Sequence, residues 1–296
     1  MKIIILGCGK IGFSHLKSFF NSKNIFEIDL IDNKNRLNYI QKLLVKKKNL
    51  KLNYRNEIPR NKKFDFAIIS TNSRERFEVF EELISKNKIK FFIFEKFIFS
   101  KISEYKKFNK LYYNYYNQIM VNSIGSYIFL KCNIKKKKRD PVNIAIKIKE
   151  GTLFTSMIHF FDFFYLFTNQ KFKIDFSKIT KIIKSKRFHY QEGLGEISAK
   201  NSNGILKIIT SRKHNLDIEI TANKKNYFLK LIKDRFKLFK NKKLIKEFKF
   251  PFAHDNTIRL IRNKKHFQKN FKYLSDISLE ILKILKKNYK REILIT

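Results

Sequence analysis

At 296 residues with 43% hydrophobic side chains, the chain is long enough for two ordinary domains with real cores, and no run approaches the roughly 18 apolar residues that a membrane span requires. A net charge of +41 would by itself point to an anionic partner, but only 12 of the 66 basic residues are arginine, and the lysines are spread along the whole chain, the densest run being Lys135–Arg139. With Lys, Asn, Ile and Phe abundant and Gly and Pro scarce, this reads as drift of an AT-rich coding sequence: lysine stems covering apolar surface are expected, and no specific nucleic-acid partner.

The first element, "KIIIL" at 2–6, reads as a strand buried in a parallel sheet. Its apolar run is too short for a signal peptide, and Cys8 and Cys132 have neither metal-ligand spacing nor a disulfide framework. A reduced, cytoplasmic setting without a metal site or membrane insertion is therefore expected. "GCGKIG" follows, then a helix with Leu16, Phe19 and Phe20 on one face, then a strand "FEIDLID" ending at Asp32. Gly7, Gly9 and Gly12 form G-x-G-x-x-G, and Asp32 lies 20 residues beyond Gly12. Each part has a physical role in holding a dinucleotide: Gly7 permits the tight turn, Gly9 admits a pyrophosphate to the backbone, and Gly12 lets the helix pack against the strand. The helix N-terminus, opening at Lys10 and Ile11, offers free N–H groups to phosphate. Asp32 can accept from ribose hydroxyls and repels a 2′-phosphate, which favours NAD over NADP, although Lys34 and Arg36 stand nearby.

The alternation continues. "FDFAIIST" (64–71) reads as a strand ending in Ser70, Thr71 and Asn72; a helix over 74–85 buries Phe77, Phe80 and Ile84; and "IKFFIFEK" is the next strand. Glu95 and Lys96 then fall where a parallel strand leaves the sheet, the edge at which open α/β sheets bind ligands. Further on, "TSMIHFFDFFYLF" is a helix apolar on nearly every face, whose only imidazole and carboxyl groups, His159 and Asp162, lie at i, i+3. These two read either as a satisfied core pair or as a substrate-facing histidine with an orienting aspartate. Residues 142–148 read as a strand, and 170–250, with turns at 201–204 and 222–226, as a mostly antiparallel sheet. The expected fold class is α/β: a Rossmann doubly wound parallel sheet over residues 1–120 and an α+β domain on a mostly antiparallel sheet over 121–296.

The ordered motifs G-x-G-x-I-G-x-x-H, Ser-Thr-Asn, Glu-Lys and H-x-x-D resemble the Gfo/Idh/MocA oxidoreductases. The resemblance implies hydride transfer between NAD or NADP and a sugar, nucleotide sugar or polyol. It implies catalytic roles for Lys96 and His159, with Asp162 and Thr155 toward the substrate and Glu95, Ser70, Thr71 and Asn72 toward the cofactor. It also implies a homodimer or tetramer assembled on the second domain's sheet. Two positions depart from the family pattern. Phe97 stands where Glu-Lys is usually followed by a proline that often carries a cis bond, and a cis bond before a non-proline residue costs about 2.5–4 kcal/mol. Thr155 stands where many members carry an aspartate four residues before the histidine. Members associated with surface-polysaccharide sugar biosynthesis resemble this chain in both departures. The alternative they imply is a catalytically impaired homologue that binds a dinucleotide in a regulatory role.

Overall fold

Lys2–Leu6 has no polar side chain after its first residue, and it forms β1, with Ile3, Ile4 and Ile5 fully buried. The computed structural model describes residues 1–44, 48–134, 140–185, 190–213, 215–250, 253–262, 270–290 and 293–295; the lysine run at 135–139 lies outside them. Around β1 stand β2 (Phe26–Ile31), β3 (Leu50–Arg55), β4 (Lys63–Ile69), β5 (Lys88–Phe94) and β6 (Ile119–Val121). Every pairing is parallel, in the order β3-β2-β1-β4-β5-β6. Helices α1 (Lys10–Lys17), α2 (Lys34–Leu43), α3 (Arg76–Lys86) and α4 (Ile102–Leu111) alternate with these strands. The strand order reverses between β1 and β4, so a crevice opens at their carboxyl ends, as in doubly wound sheets generally. Phenylalanine fills the core on one face: the Phe80 ring meets those of Phe92, Phe94, Phe108, Tyr112 and Tyr115 at centroid distances of 5.3–5.7 Å.

The chain divides into two compact units, Met1–Asn122 with Pro251–Asp276, and Ser123–Phe250 with Ile277–Thr296. The segment 251–276 belongs with the first unit. It carries α7 (Ala253–Arg262), which packs on α1.

In the second unit, α5 (Ile124–Cys132) and β7 (Val142–Lys149) precede α6 (Leu153–Thr168). Eight further strands follow: β8 (Lys173–Asp175), β9 (Ile179–Lys184), β10 (Gln191–Asn201), β11 (Gly204–Ser211), β12 (Leu216–Ala222), β13 (Lys225–Ile232), β14 (Arg235–Lys240) and β15 (Lys243–Lys249). They form a nine-stranded sheet in the order β15-β14-β13-β12-β7-β11-β10-β8, with β9 pairing β10. Only β7 and β11 run parallel; the other pairings are antiparallel. The turns at 201–204 and 222–226 join β10 to β11 and β12 to β13. Helix α8 (Asn270–Tyr289) follows α7. No described helix is long and apolar enough to cross a membrane.

Candidate functional site: the glycine-loop crevice and the α6 cluster

The three glycines of the first loop are required for different reasons. Gly7 has φ +83°, a conformation side-chain-bearing residues avoid, and a Cβ there would stand 2.7 Å from the Thr71 amide nitrogen. A Cβ on Gly12 would stand 1.9 Å from the Gly7 carbonyl oxygen, so only glycine lets α1 lie this close to the loop. Gly9 differs: a Cβ there would meet nothing within 4 Å, and its backbone faces open space at the N-terminus of α1, where no side chain caps the helix. Lys10 and Ile11 are exposed in the first turn of α1.

Gly7 and Gly9 line a crevice of about 570 Å³ with Asp32, Ser70, Thr71 and Asn72. A wider depression of about 860 Å³ lies at the opposite, amino-terminal ends of the strands, beside Lys2, Glu27, Lys63 and Lys88. Ligands of open α/β sheets bind at the carboxyl ends, so the crevice is the candidate site. Asp32 is turned toward the loop: Oδ2 accepts from the Cys8 N–H at 2.6 Å and Oδ1 from the Asn33 N–H at 2.7 Å. Each carboxylate oxygen keeps acceptor capacity for a further donor. The Cys8 thiol is pushed up to about 12 by burial and by the Asp32 charge, so it is inert at neutral pH. Ser70 donates to the Gly7 carbonyl at 2.7 Å, pinning the end of β4 to the loop. Asn72 closes the following turn, its Oδ1 accepting from the Arg74 N–H at 3.1 Å. Thr71 Oγ1 is buried in the crevice wall without a hydrogen-bond partner. A free helix N-terminus, an open glycine backbone and an unpartnered hydroxyl fit the phosphates and ribose of a dinucleotide.

Beyond β5 the chain turns through Glu95–Ser100. Phe97, Ile98 and Phe99 are buried, yet this apolar run is an irregular turn and not the strand its composition suits. The peptide bond between Lys96 and Phe97 is cis. The buried Arg76 guanidinium holds the turn, donating to the carbonyls of Glu95 (2.8 Å), Phe97 and Ile98 (3.1 Å), and to that of Thr71 (2.5 Å). Lys96 is half-buried in this turn. Glu95 Oε1 accepts from His15 Nε2 at 2.9 Å and from Asn122 Nδ2 at 2.6 Å, and the Thr257 hydroxyl lies 2.6 Å from His15 Nδ1. A carboxylate can only accept, so the hydrogen is assigned to Nε2. Burial pushes the Glu95 carboxyl up, but the His15 and Asn122 bonds and the Arg76 charge outweigh it and hold the group below the ordinary glutamate range. In this structure Glu95 is bound to α1, to Asn122 just after β6 and, through His15, to α7. His15, Asn122 and Arg76 were not given roles from the sequence. Only the H of G-x-G-x-I-G-x-x-H was visible there, and partners from residues 76, 122 and 257 leave no local pattern.

In the second unit, the i, i+3 spacing of His159 and Asp162 turns both toward the N-terminus of α5. Asp162 Oδ2 accepts from the Ser126 N–H at 2.9 Å and its hydroxyl at 2.7 Å; His159 Nδ1 accepts from the Ile124 N–H at 3.3 Å; and Ser123 Oγ accepts from the Gly125 N–H at 3.2 Å. Three otherwise orphaned helix donors are thereby satisfied. The crossing is tight, since a Cβ on Gly125 would stand 2.0 Å from the His159 carbonyl oxygen. Asp162 is fully buried, whereas His159 is half-exposed. Because Nδ1 accepts, the ring hydrogen is assigned to Nε2. At the other end of the same stripe, the Thr155 hydroxyl donates to Glu192 on β10, whose buried carboxylate also accepts from the Phe154 N–H at 2.7 Å and the Thr155 N–H at 3.2 Å. A carboxylate therefore stands beside Thr155 although the sequence has none there. Glu192 was missed because it lies 37 residues away in the chain. Among the described residues, no group of three or more His, Cys, Asp or Glu is placed to hold a metal ion.

No protein-family model matches the sequence, and no curated protein matches it. Solved structures do match along almost the whole chain. A Gfo/Idh/MocA family oxidoreductase from Vibrio cholerae is 12% identical with a TM-score of 0.60, covering 98% of this chain and 100% of that one. A UDP-N-acetylglucosamine 3-dehydrogenase from Acidithiobacillus ferrooxidans is 10% identical with a TM-score of 0.62, over 95% of this chain and 96% of that one. The transcriptional regulator Gal80p from Kluyveromyces lactis is 12% identical with a TM-score of 0.60, over 91% and 84%. Identities this low speak for fold alone, and at that level the resemblance read from the sequence holds: this chain has the fold of the Gfo/Idh/MocA oxidoreductases.

Proposed function

We propose that the chain is a cytoplasmic NAD-dependent oxidoreductase of the Gfo/Idh/MocA type, acting on a hydroxyl-bearing carbon of a sugar, nucleotide sugar or polyol. The observation that carries this reading is the glycine-loop crevice, with Gly9 open at a free helix N-terminus and Asp32 retaining acceptor capacity beside it. When bound, the nicotinamide supplies a hydride donor or acceptor. The chain's own residues do the rest. Gly7, Gly9, Gly12, Lys10 and Ile11 receive the pyrophosphate at the start of α1, Asp32 the ribose hydroxyls, and Thr71 Oγ1 a polar group of the cofactor. Lys96, held by the Arg76 clamp on the turn after β5, exchanges the proton of the substrate hydroxyl at Nζ. His159, with its hydrogen on Nε2, donates to a substrate oxygen and orients it, and Asp162 fixes the helix that carries it. Glu95 keeps the turn in place from behind. The chain works as a homo-oligomer, for which exposed Ile232, Leu244 and Ile245 on β13 and β15 supply apolar surface.

A second reading, a dinucleotide-binding regulator, is favoured by Thr155, which has no acid–base capacity of its own at neutral pH, and by the regulator that shares the fold. Mixing the protein with NAD and a panel of nucleotide sugars and polyols, and following nicotinamide absorbance, tests the two. Substrate-dependent reduction that Lys96→Met abolishes supports the enzyme. Tight dinucleotide binding without turnover on any member of the panel favours the regulator.

A further inference from the structure

The crevice is acidic although the chain as a whole carries a net charge of +41. Among the described residues, four carboxylates, Asp32, Glu57, Glu75 and Glu82, line it against a single base, Lys86. That base is already neutralised, its Nζ standing 2.5 Å from Glu82 Oε1. The glycine loop, not these carboxylates, defines the site; their arrangement bears on which dinucleotide it takes.

We propose that Glu57 acts with Asp32 as a second determinant of cofactor choice, so that the crevice rejects a phosphate on the ribose and selects NAD over NADP. This rests on the reading of the crevice as a dinucleotide site. The sheet register places the two acids together. Ile31 on β2 pairs with Arg55 on β3, and the Asp32 N–H donates to the Arg55 carbonyl at 3.4 Å. Residues 56–58 therefore leave the sheet beside Asp32, and Glu57 lines the same crevice. A phosphate on the hydroxyl that Asp32 accepts would enter a crevice lined by both carboxylates, and like charges across a cleft disfavour such a ligand. Two bases that follow Asp32 in the chain stand outside the crevice lining, although the Arg36 charge is felt at Cys8 on the glycine loop. Neither Lys34 nor Arg36 lines the crevice, and the Arg36 guanidinium lies 5.8 Å from the Tyr39 ring centroid. Glu57 is exposed, so salt screens its effect in part, and its replacement leaves the core untouched.

The test is fluorescence titration with NADH and NADPH of the wild-type chain, Glu57→Gln and Glu57→Lys, at low salt and at about 0.5 M salt. Wild type should bind NADH at least about tenfold more tightly than NADPH. The NADPH-to-NADH affinity ratio should rise about threefold in Glu57→Gln and about tenfold in Glu57→Lys, both shifts shrinking at high salt. A ratio unchanged in both variants, or a wild type that prefers NADPH, overturns the role of Glu57 and leaves the dinucleotide site standing. A wild type that binds neither removes the site and this proposal together.

Discussion

Glu95→Gln replaces a carboxylate with an amide of nearly the same shape, so its effect isolates charge. The Glu95 side chain is 12% exposed, and both its donors, His15 and Asn122, converge on one oxygen. Hydrogen bonds to a charged group contribute about 1.5–3 kcal/mol and neutral ones about 0.5–1.5. Losing charge assistance on two bonds therefore costs about 2 kcal/mol, or about 4–8 °C in melting temperature for a domain of this size. The pH dependence is fixed in sign. Glu95 is depressed in the folded chain, so its contribution is complete above the unfolded value, near 4.5, and is lost as pH falls through the lower folded value. Thermal melts of wild type and Glu95→Gln should differ by a constant amount around neutrality and converge in acid. Equal melting temperatures at neutral pH, or a gap that persists undiminished in acid, would refute this account of the 95–98 turn.

Three other substitutions probe the remaining parts. Lys96→Met, which preserves volume, should leave melting temperature and NADH affinity nearly unchanged while sugar-dependent nicotinamide reduction falls by about 10² or more; full activity would remove Lys96 from the chemistry. Glu192→Ala strips the Phe154 and Thr155 amides of their acceptor at the start of α6, and denaturant titration should show a loss of about 1–2 kcal/mol. Gly12→Ala forces α1 away from the loop and should lose about 1–3 kcal/mol in the same assay, since the Gly7 carbonyl is backbone and cannot yield as a side chain would.

The parallel unit was legible wherever one face of an element is uniformly apolar. KIIIL, FDFAIIS and IKFFIF read directly as strands, and the glycine spacing placed the crevice. Elements with weak patterns were not legible: α2 buries only Leu37 and Ile40 of its ten residues, and no residue of β3 is fully buried. The 97–99 run misleads for another reason, because burial depends on where a segment ends and not on whether it extends. Charged groups were located correctly as unusual, but their partners were not foreseen. Glu95 finds His15 and Asn122, and Thr155 finds Glu192, across sequence separations of 80, 27 and 37 residues, where only the folded sheet brings them together.

The central claim, that the glycine loop receives a dinucleotide, is tested most directly by NADH titration of wild type against Gly9→Asp. A side chain at position 9 meets nothing in the protein, φ there is −63°, and aspartate is a favoured residue at a helix N-cap, so the fold should be as stable as wild type or more so. The same side chain sets bulk and negative charge where a pyrophosphate must lie. The account predicts saturable wild-type binding at about micromolar NADH and a loss of at least about 100-fold in Gly9→Asp at unchanged melting temperature. Equal NADH affinity in the two proteins, or no binding by wild type, would contradict it.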